Sequence, residues 1–243
     1  MLTITKECTV ADVVSNNIKT ADIFKKHGID FCCGGGVSLD KICDKKGVSY
    51  NVLSEELKNV DVVTKRAENY DTWNLNFLMD HIVNIHHKYV LDSVDILNQY
   101  INKVAKVHGH HYTELLEIQS LFREVAQELN FHMQKEEKIL FPYIKYLVQI
   151  ENGMEEYTKP HFQSVQNPIQ VMEEEHESAG DIFKRIAELT NNYTPPKEAC
   201  NTFKAMYSKL QEFEEDLHQH IHLENNILHP KAKKIEKMIL SEL

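Results

Sequence analysis

Apolar positions recur at three- and four-residue steps along most of the chain, and nowhere do they alternate as in a strand. Four long runs of this kind predict amphipathic helices over about 73–106, 113–150 and 166–190, and from Thr194 to about His229. Gly109 closes the first and Asn191-Asn192 the third. Thr194-Pro195-Pro196 reads as the cap and first turn of the fourth. Pro142 falls inside the second helix and predicts a bend, because a mid-helix proline removes a backbone hydrogen bond. A short helix can follow Pro230. Nearer the start, Val10, Val13, Val14, Ile18, Ala21, Ile23 and Phe24 keep helical spacing as far as Gly28. A second short helix begins at Ser38 and runs through Cys43, and Ser54 opens a third. The stretch Asn59–Thr72 is polar and non-periodic. The expected architecture is all-α: a small helical domain over 1–60, a linker over 61–72, and an up-down four-helix bundle over 73–243.

Composition narrows the class. Charged residues make up 26% of the 243 and hydrophobic ones 42%, as in a globular protein. A formal net charge of −10 argues against nucleic acid or an anionic membrane surface as partner. No basic-then-apolar leader and no unbroken apolar stretch of membrane-spanning length is present, so neither a signal peptide nor a membrane span is expected. Five cysteines, two of them adjacent, do not form a disulfide framework, and a reducing cytoplasm is the expected setting.

The chemistry lies in a repeat. His132-Met-Gln-Lys-Glu136 runs on to Leu140 and Pro142, and 88 residues later His220-Ile-His-Leu-Glu224 runs on to Leu228 and Pro230. A His and a Glu at i and i+4 lie about 40° apart around a helix and roughly 6 Å along it, so both heads reach one spot. His87 and His176 stand upstream at matching places in the two halves. Each half then offers a helix with one His and a helix with His-x3-Glu. Four imidazoles and two carboxylates facing a bundle core suit iron or manganese, with zinc not excluded by sequence alone. A ferritin-type site would show Glu-x-x-His and more carboxylates; here the order is His first.

Other histidines carry plainer readings. His86 and His87 point about 100° apart on a helix, so only one should face the core, and Val83, Leu91 and Val94 favour His87. His108 lies 21 residues beyond His87, about 31 Å along a continuous helix. His110 and His111 read as loop residues, and His218 and His222 as exposed. Glu128 and Asp216 precede His132 and His220 by four; either could accept the second imidazole N–H and fix its tautomer, or be merely solvated.

Cys32-Cys33 opens a glycine-rich turn. Adjacent cysteines are not a structural zinc motif. Free backbone N–H groups near the helix start at Ser38 could stabilise thiolates there, giving thiol or redox chemistry or transient ligation of iron, unless the small residues simply fit a tight turn. Cys8, Cys43 and Cys200 have no partner in sequence and are expected to be buried and inert.

With the Cys32-Cys33-Gly34-Gly35 turn and both His/His-x3-Glu halves placed, the chain resembles the RIC family, the "repair of iron centres" di-iron proteins. The stretches His132-Met…Lys135-Glu136-Glu137…Ile139-Leu140-Phe141-Pro142, Glu175-His176-Glu177…Ala179-Gly180 and Leu223-Glu224-Asn225-Asn226 match as well. The resemblance implies a hemerythrin-like bundle holding two oxo-bridged irons. His87, His132, His176 and His220 would be terminal ligands, with Glu136 and Glu224 bridging. It implies repair of iron–sulfur clusters damaged by nitric oxide or peroxide, by donating iron, with Cys32 and Cys33 receiving iron or docking on the damaged target. Expected partners are damaged iron–sulfur proteins, nitric oxide or oxygen as small ligands, and a second copy in a homodimer. A turnover enzyme reducing nitric oxide at the di-iron site, or a sensor of oxygen or nitric oxide, are the alternatives. Oxygen-carrying hemerythrins use five histidines; Gly180 stands here where another His would follow His176, which tells against reversible oxygen carriage. The family also carries a histidine at the position of His108, which leaves it as an accessory residue.

Overall fold

A computed structural model describes residues 3–17, 19–60 and 70–242. Most of the linker expected over 61–72, and Ile18, lie outside them. All the regular elements among the described residues are helical. The chain forms two compact units. One comprises Met1–Met79, Leu147–Tyr157 and Gln219–Leu243; the other comprises Asp80–Tyr146 and Thr158–His218.

In the first unit, α1 (Val10–Asn16) opens on a capping box. Thr9 Oγ1 accepts from the Asp12 amide at 3.0 Å, and the Asp12 carboxylate accepts from the Thr9 amide at 2.9 Å. The periodic run to Phe24 is two helices rather than one. Asn17 turns extended, its carbonyl accepts from the Thr20 hydroxyl at 2.7 Å, and α2 (Thr20–Lys26) starts afresh. Gly28 ends α2 at positive φ, as its place in the sequence implied. Then come α3 (Leu39–Lys46), stopped by left-handed Gly47, and α4 (Tyr50–Lys58). The latter begins behind Ser49, four residues before the expected start; Ser54 is buried inside it, because Leu53 and Leu57 both face the core. Tyr70–Thr72 is a 3-10 turn whose buried Tyr70 ring meets Trp73 edge-on.

The second unit holds a four-helix bundle. Its helices are α6 (Lys88–His108), α7 (Glu114–Lys135), α9 (Gln166–Leu189) and the part of α10 (Asn201–Leu223) up to His218. Leu97, Ile101 and Val104 of α6, Ile118, Phe122 and Val125 of α7, Ile169, Phe183 and Ile186 of α9, and Phe203, Leu210 and Phe213 of α10 are all buried at helical spacing. Phe213 joins three helices, with its ring 5.8 Å from Phe122 and 5.5 Å from Phe183. The fourth helix starts at Asn201 rather than Thr194. Asn191, Asn192 and Tyr193 take three consecutive left-handed conformations after α9, and the chain needs the next residues to turn back.

Among the described residues, three wider, π-helical turns interrupt the long helices. Ile82–His87 joins α5 (Leu75–His81) to α6, Glu136–Leu140 joins α7 to α8 (Phe141–Glu151), and Glu224–Leu228 joins α10 to α11 (His229–Ser241). The last two are the repeat seen in the sequence. The Phe141 amide reaches back five residues to the Glu136 carbonyl, and His229 does the same to Glu224. The prolines at 142 and 230 follow directly. A wide turn closed one residue earlier absorbs the proline, which has no N–H to give and would crowd an α-helical carbonyl. The expected bend at Pro142 therefore takes the form of a local widening upstream of it.

Candidate metal centre

Each π turn carries a sequence-predicted ligand at one end: His87 closes the first, Glu136 opens the second and Glu224 opens the third. Within the second unit, His87, His132, Glu136 and His176 come together, none more than 2% exposed. Glu136 Oε2 lies 3.3 Å from His87 Nε2 and 3.4 Å from His132 Nε2, and His132 Nε2 lies 3.0 Å from His176 Nε2. The Nδ1 of His87 is 2.8 Å from Glu137, and that of His132 is 2.9 Å from Glu175, which Lys135 also pairs. A carboxylate accepts, so each Nδ1 carries the proton and each Nε2 presents its lone pair. Around Glu136 Oε2, lone pairs of two imidazoles and a carboxylate thus converge in a dry interior. Such a set repels itself unless a cation sits among them, and imidazole with carboxylate suits iron. The residues fit a metal.

In the first unit, His220 and Glu224 are equally buried, with Nε2 and Oε1 3.1 Å apart across one helical turn. The i, i+4 spacing thus brings both His–Glu pairs to a point.

The chain matches the hemerythrin HHE cation binding domain over residues 78–232. It belongs to that family. A second match, to a domain of unknown function, DUF542, covers residues 6–61. Among full-length relatives of this hemerythrin-like protein, the iron-sulfur cluster repair protein ScdA of Staphylococcus epidermidis is 36% identical over 94% of the chain and 99% of its own length. The probable iron-sulfur cluster repair protein of Haemophilus influenzae is 36% identical over 86% and 89%. YtfE of Yersinia pseudotuberculosis, also an iron-sulfur cluster repair protein, is 34% identical over 88% and 91%. The all-α, hemerythrin-like fold preceded by a small helical N-terminal region, read from the sequence, is the fold of this family member.

Other expectations need correction. His86 and His87 are both buried, and His86 Nδ1 pairs with Asp216 at 3.0 Å. Asp216 is therefore engaged with His86, and Glu128 takes a hydrogen bond from Ser178 at 3.4 Å. The carboxylates that accept the Nδ1 hydrogen bonds of His87 and His132 are instead Glu137 and Glu175, sequence neighbours of Glu136 and His176. His222 is not exposed but fully buried, with Nε2 3.2 Å from Ser15 Oγ and Nδ1 3.4 Å from the Phe31 carbonyl, and burial lowers its pKa to about 4. His108 closes α6 and lies 3.5 Å from Cys200 Sγ, beside a cavity of about 280 Å³ also lined by Tyr112 and Phe203, so it joins no ligand set. Cys43 is buried as expected, whereas Cys8 is half-buried and Cys200 exposed.

The cysteine turn departs most from its reading. Its backbone N–H groups do not face the sulfurs. Those of Cys32 and Cys33 donate to Asp30 Oδ1 at 2.9 and 3.1 Å, and that of Gly34 to Asp30 Oδ2 at 3.0 Å. The Cys32 thiol, beside the Cys33 sulfur and deeply buried, is held well above its ordinary range rather than below it. Gly35 must be glycine: a Cβ there would meet the Phe31 carbonyl at 2.5 Å. Asn226, on the same π turn as Glu224, donates to the Cys32 carbonyl at 3.0 Å. An Asp two residues before the cysteines was the available signal, since such side chains cap the turn that follows.

Proposed function

We propose that the chain is a non-haem di-iron protein that repairs iron–sulfur clusters damaged by nitrosative or oxidative stress, by donating iron. The observation that carries this is the convergence on Glu136 Oε2 of His87 and His132, each oriented by its own carboxylate. Relatives named as iron-sulfur cluster repair proteins over nearly the whole chain support it. His87, His132, His176 and His220 would be terminal ligands, with Glu136 and Glu224 bridging an oxo-linked iron pair. Bound there, the irons would supply transferable metal and open positions for nitric oxide or oxygen.

The chain's own part is orientation and charge. Glu137 and Glu175 fix the Nε2 lone pairs inward and make the imidazoles better donors. Two glutamates would offset part of the charge of a bound iron pair, and such hard oxygen ligands would hold ferrous iron less firmly than ferric. The N-terminal residues lie in one compact unit with Leu147–Tyr157 and Gln219–Leu243, and there Cys32 and Cys33 take part in the transfer. The setting is the cytoplasm, with damaged iron–sulfur proteins as partners and a second copy in a homodimer. Among the described residues no helix is long and apolar enough to cross a membrane.

The test is metal content and the visible spectrum of protein from iron-replete cells, followed by repair of a nitric-oxide-damaged [4Fe–4S] enzyme. Two irons per chain, oxo-bridged ferric absorption and restored activity are expected. Stoichiometric zinc, or no metal after anaerobic reconstitution with ferrous iron, overturns the reading. Catalytic conversion of nitric oxide to nitrous oxide by the reduced protein would select a reductase instead.

A further inference from the structure

Among the described residues, one further group of ligating side chains converges outside the His/Glu set. Asp30, Cys32 and Cys33 each offer one atom, all within 4.8 Å of one another. Cys32 Sγ is 3.9 Å from Cys33 Sγ and 3.2 Å from Asp30 Oδ1. A tetrahedral cation with metal–sulfur bonds of about 2.3 Å and a metal–oxygen bond of about 2.0 Å needs a sulfur–sulfur edge of about 3.8 Å and an oxygen–sulfur edge of about 3.5 Å. The turn holds both edges to within a few tenths of an ångström. Adjacency in sequence had argued against joint ligation. The fold around the Asp30 carboxylate removes the objection, because three amides donate to it and draw both sulfurs to one side.

We infer that Asp30, Cys32 and Cys33 form a second cation site, for a single thiophilic divalent ion such as ferrous iron or zinc. It is a three-ligand site with a fourth position open, the arrangement of a place where metal pauses rather than stays. Cys32 is buried and Cys33 half-buried, so the open side is on the Cys33 flank. Each thiol gives its proton to solvent as its sulfur binds, and the two thiolates with Asp30 supply three negative charges to a dication. The surplus negative charge favours cation entry, while the missing fourth ligand keeps exit easy. As the acceptor in iron donation, the site rests on the function proposed above; its existence does not.

Cobalt(II) titration of the full metal-free chain separates the two. Nitrogen and oxygen ligands give cobalt no thiolate charge-transfer absorption, so the His/Glu set is silent in the near-ultraviolet band that sulfur produces. The band should grow to one cobalt per chain, vanish in Cys33→Ala and Cys32→Ser, and need at least tenfold more cobalt in Asp30→Asn. Cys33→Ala leaves every amide bond to Asp30 in place, and Asn keeps an oxygen for the amides, so loss of fold does not mimic the result. No charge-transfer band at saturation, a band that survives Cys33→Ala, or an unchanged affinity in Asp30→Asn overturns the site. Failure of the chain to hold two irons would leave these outcomes unaltered.

Discussion

A glutamate at full burial is costly unless its charge is met, and Glu136 has no exposed surface at all. The metal it is proposed to share with His87 and His132 is what would neutralise it. Glu136→Ala should therefore strip iron from the protein while leaving its helices intact, and Glu224→Ala should do the same. Iron per chain by elemental analysis, beside far-ultraviolet circular dichroism, checks both; two irons retained in either variant would refute the bridging assignment. His222 is a different case, a buried imidazole kept neutral. Its pKa falls from 6.5 to about 4, chiefly through loss of hydration. Between those values the unfolded chain takes up a proton that the folded chain refuses. Its contribution is thus whole above pH 6.5 and shrinks as pH falls toward 4, by on the order of 3 kcal/mol. Urea unfolding of metal-free protein should show a shallower loss across that window in His222→Gln, which hydrogen-bonds without titrating; an unchanged slope would contradict this. The proposed pairs His132/Glu136 and His220/Glu224 were legible from a repeat offset by 88, and His87 and His176 from their matching places in the two halves. The residues that orient them were not. Glu137 and Glu175 act across helices, and i, i+4 reasoning looks only along one.

At the scale of elements, periodicity located the helices and missed their phase. Leu91 and Val94 were expected beside His87, yet Leu91 is exposed and the buried stripe runs through Ile82, His86, His87, Val90 and Leu97. The π turn at Ile82–His87 holds an extra residue, which rotates everything beyond it relative to an ideal helix. Nothing in a hydrophobic pattern marks such a turn, although the Pro142 and Pro230 repeat marks the other two. Removing the widening tests whether the centre depends on it. Deleting exposed Lys138 from Glu136–Leu140 should restore α-helical phase and turn the flanking segments about 100° against each other. Helical signal should persist while iron is lost, and full iron occupancy in the deletion would show that the turn is incidental. The bundle's stability lies elsewhere, in the rings of Phe122, Phe183 and Phe213, all fully buried. Phe122→Ala should cost about 3–5 kcal/mol in denaturant unfolding. A cost below about 1 kcal/mol would mean that the rings do not carry the packing between α7, α9 and α10.

For the whole molecule, the question is whether holding iron and delivering it are separable. None of the six proposed iron ligands is a cysteine, and the turn of Cys32 and Cys33 is built on backbone amides and Asp30, which serine at both positions would leave standing. Cys32→Ser with Cys33→Ser should therefore keep two irons and the ferric spectrum yet fail to restore a nitric-oxide-damaged [4Fe–4S] enzyme. Glu136→Ala should fail at both. Unchanged repair by the cysteine double variant would remove the thiols from the mechanism and leave donation to the His/Glu centre alone. Loss of iron as well would mean that the two regions are not independent, and the hydrogen bond from Asn226 to the Cys32 carbonyl gives a concrete route for that. Asn226 sits two residues beyond Glu224 on the same π turn. Asn226→Ala distinguishes the cases: it leaves every proposed ligand in place, so slower iron release with normal iron content would identify that bond as the link between holding and delivery.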